Sequence, residues 1–198
     1  MLDKSLPYFD IVMKADKVTA SKWAPLPLPD GYSFKMYEDG DETGWAELET
    51  SVKEFPSREK ALAYFQKVFL PYRHLLPSRM CFVIDEKGTI CATATAWMKE
   101  GNGCCQPILH WVSASPEVQG KGIGRAVTSY ALSLFSKTDP GKDVFLHTQT
   151  WSYPAVSIYY QYGFRITKQP LLGVQTDFHY QEALKGILPD EILNDITD

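Results

Sequence analysis

No run of apolar residues in this 198-residue sequence approaches the ~20 that cross a bilayer as a helix. The opening residues Met1-Leu2-Asp3-Lys4-Ser5-Leu6-Pro7 lack the apolar stretch of a secretory signal. A cytoplasmic location without a membrane partner is the resulting expectation. Like charges never gather in a block of about five or six, and the net charge is −4, so a nucleic-acid-binding tail is not expected. Cysteine is scarce. Cys81, Cys91, Cys104 and Cys105 include no C-x-x-C pair, so no zinc site or other metal is expected, and a reducing compartment would keep them as thiols. Internal repeats and low-complexity segments are absent, which excludes solenoids and disordered tracts.

Hydrophobic residues make up 44% and charged residues 22%, the balance of an ordinary globular domain. Aromatics, at 13%, suit either a rich core or a lined pocket. The length suggests one domain over 1–198, with an extension at 1–30, a core at 31–169 and a tail at 170–198.

Tyr8 to Met13 alternates weakly and reads as a short strand, followed by an extended connector carrying Pro25, Pro27 and Pro29. Tyr32 to Tyr37 alternates clearly, a half-buried strand. Two helices follow. Trp45, Leu48 and Val52 share a face of the first. Ala61, Leu62, Phe65, Val68 and Phe69 share a face of the second, with Ser57 as N-cap. Met80–Ile84 and Thr89–Trp97 flank Asp85-Glu86-Lys87-Gly88, a hairpin signature, and Gly101-Asn102-Gly103 reads as a further turn before a strand at Pro107–Ala114. A helix to about Lys137, a strand at Val144–Gln149, a helix at Ala155–Tyr162 closed by Gly163, and a strand starting at Phe164 complete the core. A tail helix is expected from Asp177 to Gly186. This order is mixed α/β rather than a regular parallel alternation.

One turn stands out, Gln119-Gly120-Lys121-Gly122-Ile123-Gly124-Arg125, between a strand and an amphipathic helix. Glycines let backbone approach an anion, and free N–H groups at a helix start favour negative charge. The P-loop pattern fails here because Lys121 is followed by Gly122. The dinucleotide fingerprint G-x-G-x-x-G fails too, since Arg125 or Val127 stands at its last position. The pattern present is Q-x-x-G-x-G, from Gln119, Gly122 and Gly124. It resembles the acetyl-CoA-binding motif of the GCN5-related N-acetyltransferase (GNAT) superfamily, Q/R-x-x-G-x-G/A. Residues His110–Gln119 also resemble the family's fourth core strand and its approach to that motif. The family's second signature, A-x-x-x-Y-x-x-x-G-F, runs from Ala155 through Tyr159 to Gly163 and Phe164. The resemblance covers about 31–169, and Leu146–Tyr153 is similar to a stretch of uncharacterised bacterial members.

The resemblance implies a mostly antiparallel twisted sheet of about six or seven strands flanked by about four helices, here with a short extra N-terminal strand and a C-terminal helix. It implies acetyl-CoA as cosubstrate. The turn Gln119–Arg125, through its backbone, would anchor the pyrophosphate, and Val112, Ser113 and Ala114 would pair with the pantetheine arm. A backbone N–H near Val112 would polarise the thioester carbonyl. Ser152 stands where many members carry an asparagine that contacts CoA, and Ala155 opens the second signature. Tyr159 matches the tyrosine that often returns a proton to the thiolate, and a phenol suits that step.

The general base is less determined. Members that acetylate ribosomal protein N-termini carry a glutamate twelve residues before the tyrosine, and the same count reaches His147. His110, on the preceding strand, is the second candidate. Either imidazole has the right ordinary pKa, and either equally fits a core position with a satisfied hydrogen bond. Gln149 shares a strand face with His147. Some members use a carboxylate reached through water, and Glu54, in the two-helix region that walls the family's acceptor site, is the third candidate. Trp151 is a candidate wall of an aromatic acceptor pocket, together with Trp45, Phe55, Tyr64, Tyr72 and Trp97. The expectation is an N-acetyltransferase acting on a primary amine, either a small molecule or a peptide N-terminus, through a direct ternary complex. The alternatives are a non-catalytic acyl-CoA-binding module and a nucleotide-binding domain of another type. A homodimer is compatible with the family.

Overall fold

Among the described residues eight strands form one sheet whose two faces carry two separate apolar cores. The structure is a computed structural model that describes residues 2–101 and 104–198, and the expected turn at Gly101-Asn102-Gly103 falls largely outside them. In chain order the elements are β1 (Asp10–Ala15), α1 (Lys17–Ala20), β2 (Tyr32–Met36), α2 (Glu42–Ser51), α3 (Arg58–Val68), α4 (Leu76–Arg79), β3 (Met80–Asp85), β4 (Ile90–Gly101), β5 (Cys104–Ala114), α5 (Ile123–Thr138), β6 (Val144–Gln149), α6 (Tyr153–Gln161), β7 (Arg165–Thr167), α7 (Tyr180–Ala183), α8 (Asp190–Asn194) and β8 (Ile196–Thr197).

The strand order is β2-β3-β4-β5-β6-β1-β7-β8. Among the described residues only the β5–β6 and β7–β8 strand pairs are parallel. Alternation along each strand feeds both cores. Ile108, Phe145 and Val12 pack on the α2–α3 side with Trp45, Phe65 and Phe69. Leu109, Leu146, Ile11 and Met13 pack on the α5–α6 side with Val127, Leu132 and Tyr159.

The mixed, mainly antiparallel architecture agrees with expectation, with differences at both chain ends. The N-terminal strand is interior rather than appended. It pairs with β6 from Asp10↔Gln149 to Ala15↔Val144, and with β7 at Met13↔Ile166. Covered on both faces, Ile11, Val12 and Met13 are fully buried, which explains a continuous apolar run with weak alternation. The expected helix at Asp177–Gly186 shortens to the single turn α7, because Gly186 takes φ +75° and Pro189 follows. The buried Tyr180 donates its hydroxyl to the Leu193 carbonyl at 2.7 Å, tying α7 to α8, and β8 then pairs with β7.

Local signals hold where they are chemical. Ser57 caps α3, its Oγ accepting from the Lys60 N–H at 3.4 Å. Ser57→Ala is expected to cost about 1 kcal/mol in a urea titration, with an unchanged m-value. Gly163 follows α6 at φ +87°, where a Cβ would meet Thr19 Cγ2 at 2.5 Å. Cys81 and Cys91 are buried free thiols in the strands, as their positions suggested.

Candidate active site

Strands β5 and β6 pair at only two positions, Ile108↔Phe145 and Leu109↔Leu146, and then part. His110 and His147 are the next residues on each, so the two imidazoles flank the opening. By alternation both belong to the α2–α3 face, with Ile108 and Phe145.

A bulge sharpens the parting. On the other side of β5 the register passes from Thr95↔His110 to Thr93↔Ser113, leaving Trp111 and Val112 without partners in the ladder. Trp111 takes φ +49°, a left-handed conformation rare for a large side chain. The extra residue keeps Trp111 on the same face as His110, while Val112 and Ala114 turn to the α5–α6 face.

The glycine turn leads into α5 beside that face. Gly120 and Gly122 have φ of +77° and +80°, and a Cβ on either would meet nothing within 4 Å. A Cβ on Gly124 would lie 3.9 Å from the Ala114 Cβ, so turn and strand approach closely. The first intrahelical bond is donated by the Ala126 N–H to the Gly122 carbonyl at 3.0 Å, and the N–H groups of the opening turn before it have no helical acceptor. A cavity of ≈560 Å³ lies here, lined by Val112–Ala114, the turn, and Ala155, Ile158 and Tyr159 of α6. Convergent free donors, a helix N-terminus and a long apolar wall fit a ligand with an anionic end and an extended arm.

Two further cavities adjoin it, sharing wall residues. One of ≈310 Å³ is shared by His110, Val112, Ser113, His147, Gln149, Ser152, Ala155, Tyr159, Glu54 and Tyr8. The other, ≈450 Å³, opens on the α3 side between Tyr64, Tyr72, Trp97 and Leu171, with His110 and His147 again in its wall. The two histidines therefore stand where the openings meet.

The electrostatics differ sharply among the groups present. Burial, with the neighbouring His147 and Lys99, pushes His110 down to about 4, so it is neutral at pH 7. Burial also raises Tyr159, which stays protonated at pH 7. His147 is more open, with its side chain 38% exposed, and its Nε2 lies 2.7 Å from Asp10 Oδ1. Glu49 of α2 is completely buried. Its Oε2 accepts from the Ser113 hydroxyl at 3.0 Å and its Oε1 has no partner. Burial pushes its carboxyl up to about 8, against the Ser113 hydrogen bond and helped by Glu54.

The opening brings together most of the residues singled out from the sequence: Val112, Ser113, Ala114, Gln119, Gly120, Gly122–Arg125, Ala155 and Tyr159 on one side, and His110, His147, Gln149, Ser152 and Glu54 at its centre. Two side chains go elsewhere. Lys121 turns to the Tyr32 hydroxyl at 3.0 Å, leaving only its backbone in the turn. Trp151 lines none of these three cavities. It holds the N-terminal segment, donating to the Leu6 carbonyl at 2.7 Å and stacking edge-on against Tyr8. Of the proposed aromatic pocket, Tyr64, Tyr72 and Trp97 line the outer cavity, while Trp45 is fully buried behind them. Asp10 and Glu49 were not expected. Glu49 had a visible signal, since it sits on the apolar face of Trp45, Leu48 and Val52. Asp10 had none.

Among the described residues no group of three or more His, Cys, Asp or Glu is placed to hold a metal ion, and no helix is long and apolar enough to cross a membrane.

The parting strands, the bulge and the glycine turn at a helix start all fall within the part of the chain that matches a known family model. Residues 77–166 match the family model described as Acetyltransferase (GNAT) domain. Among solved structures, the GCN5-related N-acetyltransferase from Sphaerobacter thermophilus is similar over 81% of this chain and 49% of its own, at 19% identity and a TM-score of 0.61. A tandem GNAT protein from the clavulanic acid biosynthesis pathway is similar over 82% and 51%, at 14% identity and a TM-score of 0.62. Glucosamine-6-phosphate N-acetyltransferase from Arabidopsis thaliana is similar over 74% and 96%, at 17% identity and a TM-score of 0.50. At these identities the likeness is one of fold. This chain spans about half the length of the first two. No curated protein matches it.

Proposed function

We propose that this chain transfers the acetyl group of acetyl-CoA to a primary amine in a direct ternary complex. The observation that carries the reading is the row of three cavities along the parting of β5 and β6, whose shared lining residues run from a glycine turn at a helix start to two histidines and an aromatic-walled cavity.

Acyl transfer from a thioester to an amine needs a donor toward the carbonyl oxygen, a base for the ammonium and an acid for the departing thiolate. The turn Gln119–Arg125 holds the pyrophosphate through backbone N–H groups. Val112, Ser113 and Ala114 pair with the pantetheine arm, since β5 lacks a neighbour there, and Ser152 and Ala155 close over it. The unpaired backbone of the bulge at Trp111 and Val112 faces the carbonyl. Tyr159 supplies the proton to the thiolate. His147 takes the proton from the amine. His110, neutral at pH 7, lines the amine's path, with Gln149 and Glu54 at its side. The acceptor, a small molecule or a peptide N-terminus, enters past Tyr72 and Trp97, and residues 1–198 act as one unit.

Thermal unfolding with acetyl-CoA, followed by a panel of amines read through free-thiol release, tests this reading. Acetyl-CoA at 100 times its Kd stabilises by about 2.7 kcal/mol. Amine-dependent thiol release is expected, and Tyr159→Phe is expected to lower kcat about tenfold with the acetyl-CoA Kd unchanged. Binding without release from any amine would overturn catalysis in favour of an acyl-CoA-binding module. No stabilisation at millimolar acetyl-CoA would overturn the whole reading.

A further inference from the structure

We infer that Asp10, on the N-terminal strand, is a positioning residue that fixes the tautomer and orientation of His147, so that the imidazole presents a free Nδ1 to the acceptor amine. The inference rests on the acetyl-transfer reading above.

The geometry begins with β1. Its antiparallel register against β6 sets Val12 opposite His147 and Asp10 opposite Gln149. Opposite residues share a face, so Asp10 and His147 lie diagonally on the α2–α3 side of the sheet. Asp10 Oδ1 meets His147 Nε2 at 2.7 Å. The Tyr8 hydroxyl donates to the same oxygen at 3.0 Å. Among the described residues Asp10 makes no other ion pair. A carboxylate only accepts, so Nε2 carries the hydrogen, and the neutral ring keeps its lone pair on Nδ1. The ring itself stands in the wall of both inner and outer cavities. When Nδ1 takes a proton from the ammonium, the ring becomes imidazolium, and the Asp10 carboxylate stabilises that charge without itself gaining a proton. The proton then leaves from Nδ1 to solvent.

His147 faces His110 from β5, Asp10 from β1 and Tyr8 from the segment before it. Glu54 shares its inner cavity, and Lys99 and Glu100 of β4 share the outer one. Asp10 is the only carboxylate of this set in contact with the ring.

Asp10→Asn is the test, with Asp10→Glu as the conservative rescue. Asp10→Asn is expected to lower kcat about tenfold and to leave the acetyl-CoA Kd unchanged. Asp10→Glu should recover most of the rate. Nitrogen-15 NMR of His147 gives a readout independent of any acceptor. The parent protein should show the Nε2-protonated tautomer, and Asp10→Asn should lose it, with thermal unfolding confirming that the variant folds. An unchanged tautomer, or an unchanged kcat in a folded variant, would overturn the inference while acetyl transfer by the parent protein stood. Absence of turnover in the parent protein would instead count against the acetyl-transfer reading, and the NMR result would still decide the role of Asp10.

Discussion

Replacing Gly124 with glutamate is expected to weaken acetyl-CoA binding more than a hundredfold while the fold survives. Gly124 sits in the first turn of α5, inside the ordinary helical region, so a side chain there carries no backbone penalty. Its Cβ would point at Ala114, 3.9 Å away, across the gap where turn and strand meet. Longer side chains must grow into the cavity lined by Val112–Ala114 and the turn. A glutamate there sets a negative charge against the proposed pyrophosphate cradle. At ~4 Å and an effective dielectric constant of ~20, two unit charges interact by about 4 kcal/mol, more than the ~2.7 kcal/mol of a hundredfold change. In a thermal-shift assay at 100 times the parent Kd, stabilisation should fall from about 2.7 to about 0.4 kcal/mol or less. Gly124→Ala, whose methyl group ends in ordinary contact with Ala114, should retain most of the binding. Equal binding by the glutamate variant would place the anion site elsewhere.

The second large effect concerns the buried carboxyl of Glu49. Burial raises it from the usual 4.5 to about 8, the Ser113 hydrogen bond opposing and Glu54 adding. Between those values the folded chain keeps a proton that the unfolded chain has released. Stability must then fall as pH rises through the window, by about 1.4 kcal/mol per pH unit. His110 acts with the opposite sign. Lowered from 6.5 to about 4, it is neutral in the folded chain where the unfolded chain is protonated, so its contribution improves as pH rises toward 6.5. The two cancel in part below 6.5 and separate above it. From pH 6.5 to 8 the parent protein is expected to lose about 2 kcal/mol through Glu49, a drop of roughly 4–8 °C in Tm. Glu49→Gln keeps the shape and an acceptor for Ser113 but cannot ionise, so its Tm should stay nearly level over that interval. Parallel profiles for the two proteins would show that Glu49 is ionised in the fold.

Glu49 also marks the limit of local reasoning. Its helix was legible from Trp45, Leu48 and Val52, and its own place on that apolar face was visible. That Ser113 would meet it depended on the bulge at Trp111, which reverses the alternation of β5 and which no residue pattern announces. The N-terminal strand shows the same limit from the other direction. Its apolar stretch was legible, yet a strand buried on both faces loses the alternation that would betray its position, and Asp10 became a neighbour of His147 only through pairing with a segment more than a hundred residues away.

The sequence by itself determined the mixed α/β class, the hairpin at Asp85–Gly88, the cap at Ser57, the glycine turn at Gln119–Arg125 and the tyrosine helix ending at Gly163. Each of these depends on contacts within a few residues, where side-chain chemistry and backbone preference act directly. Tertiary structure alone decided where β5 and β6 part, that Trp151 clasps the N-terminal segment, that β1 lies between β6 and β7, and which carboxylate touches which histidine. Those outcomes depend on strand order and register, which are settled by the summed burial of two apolar cores rather than by any local stretch.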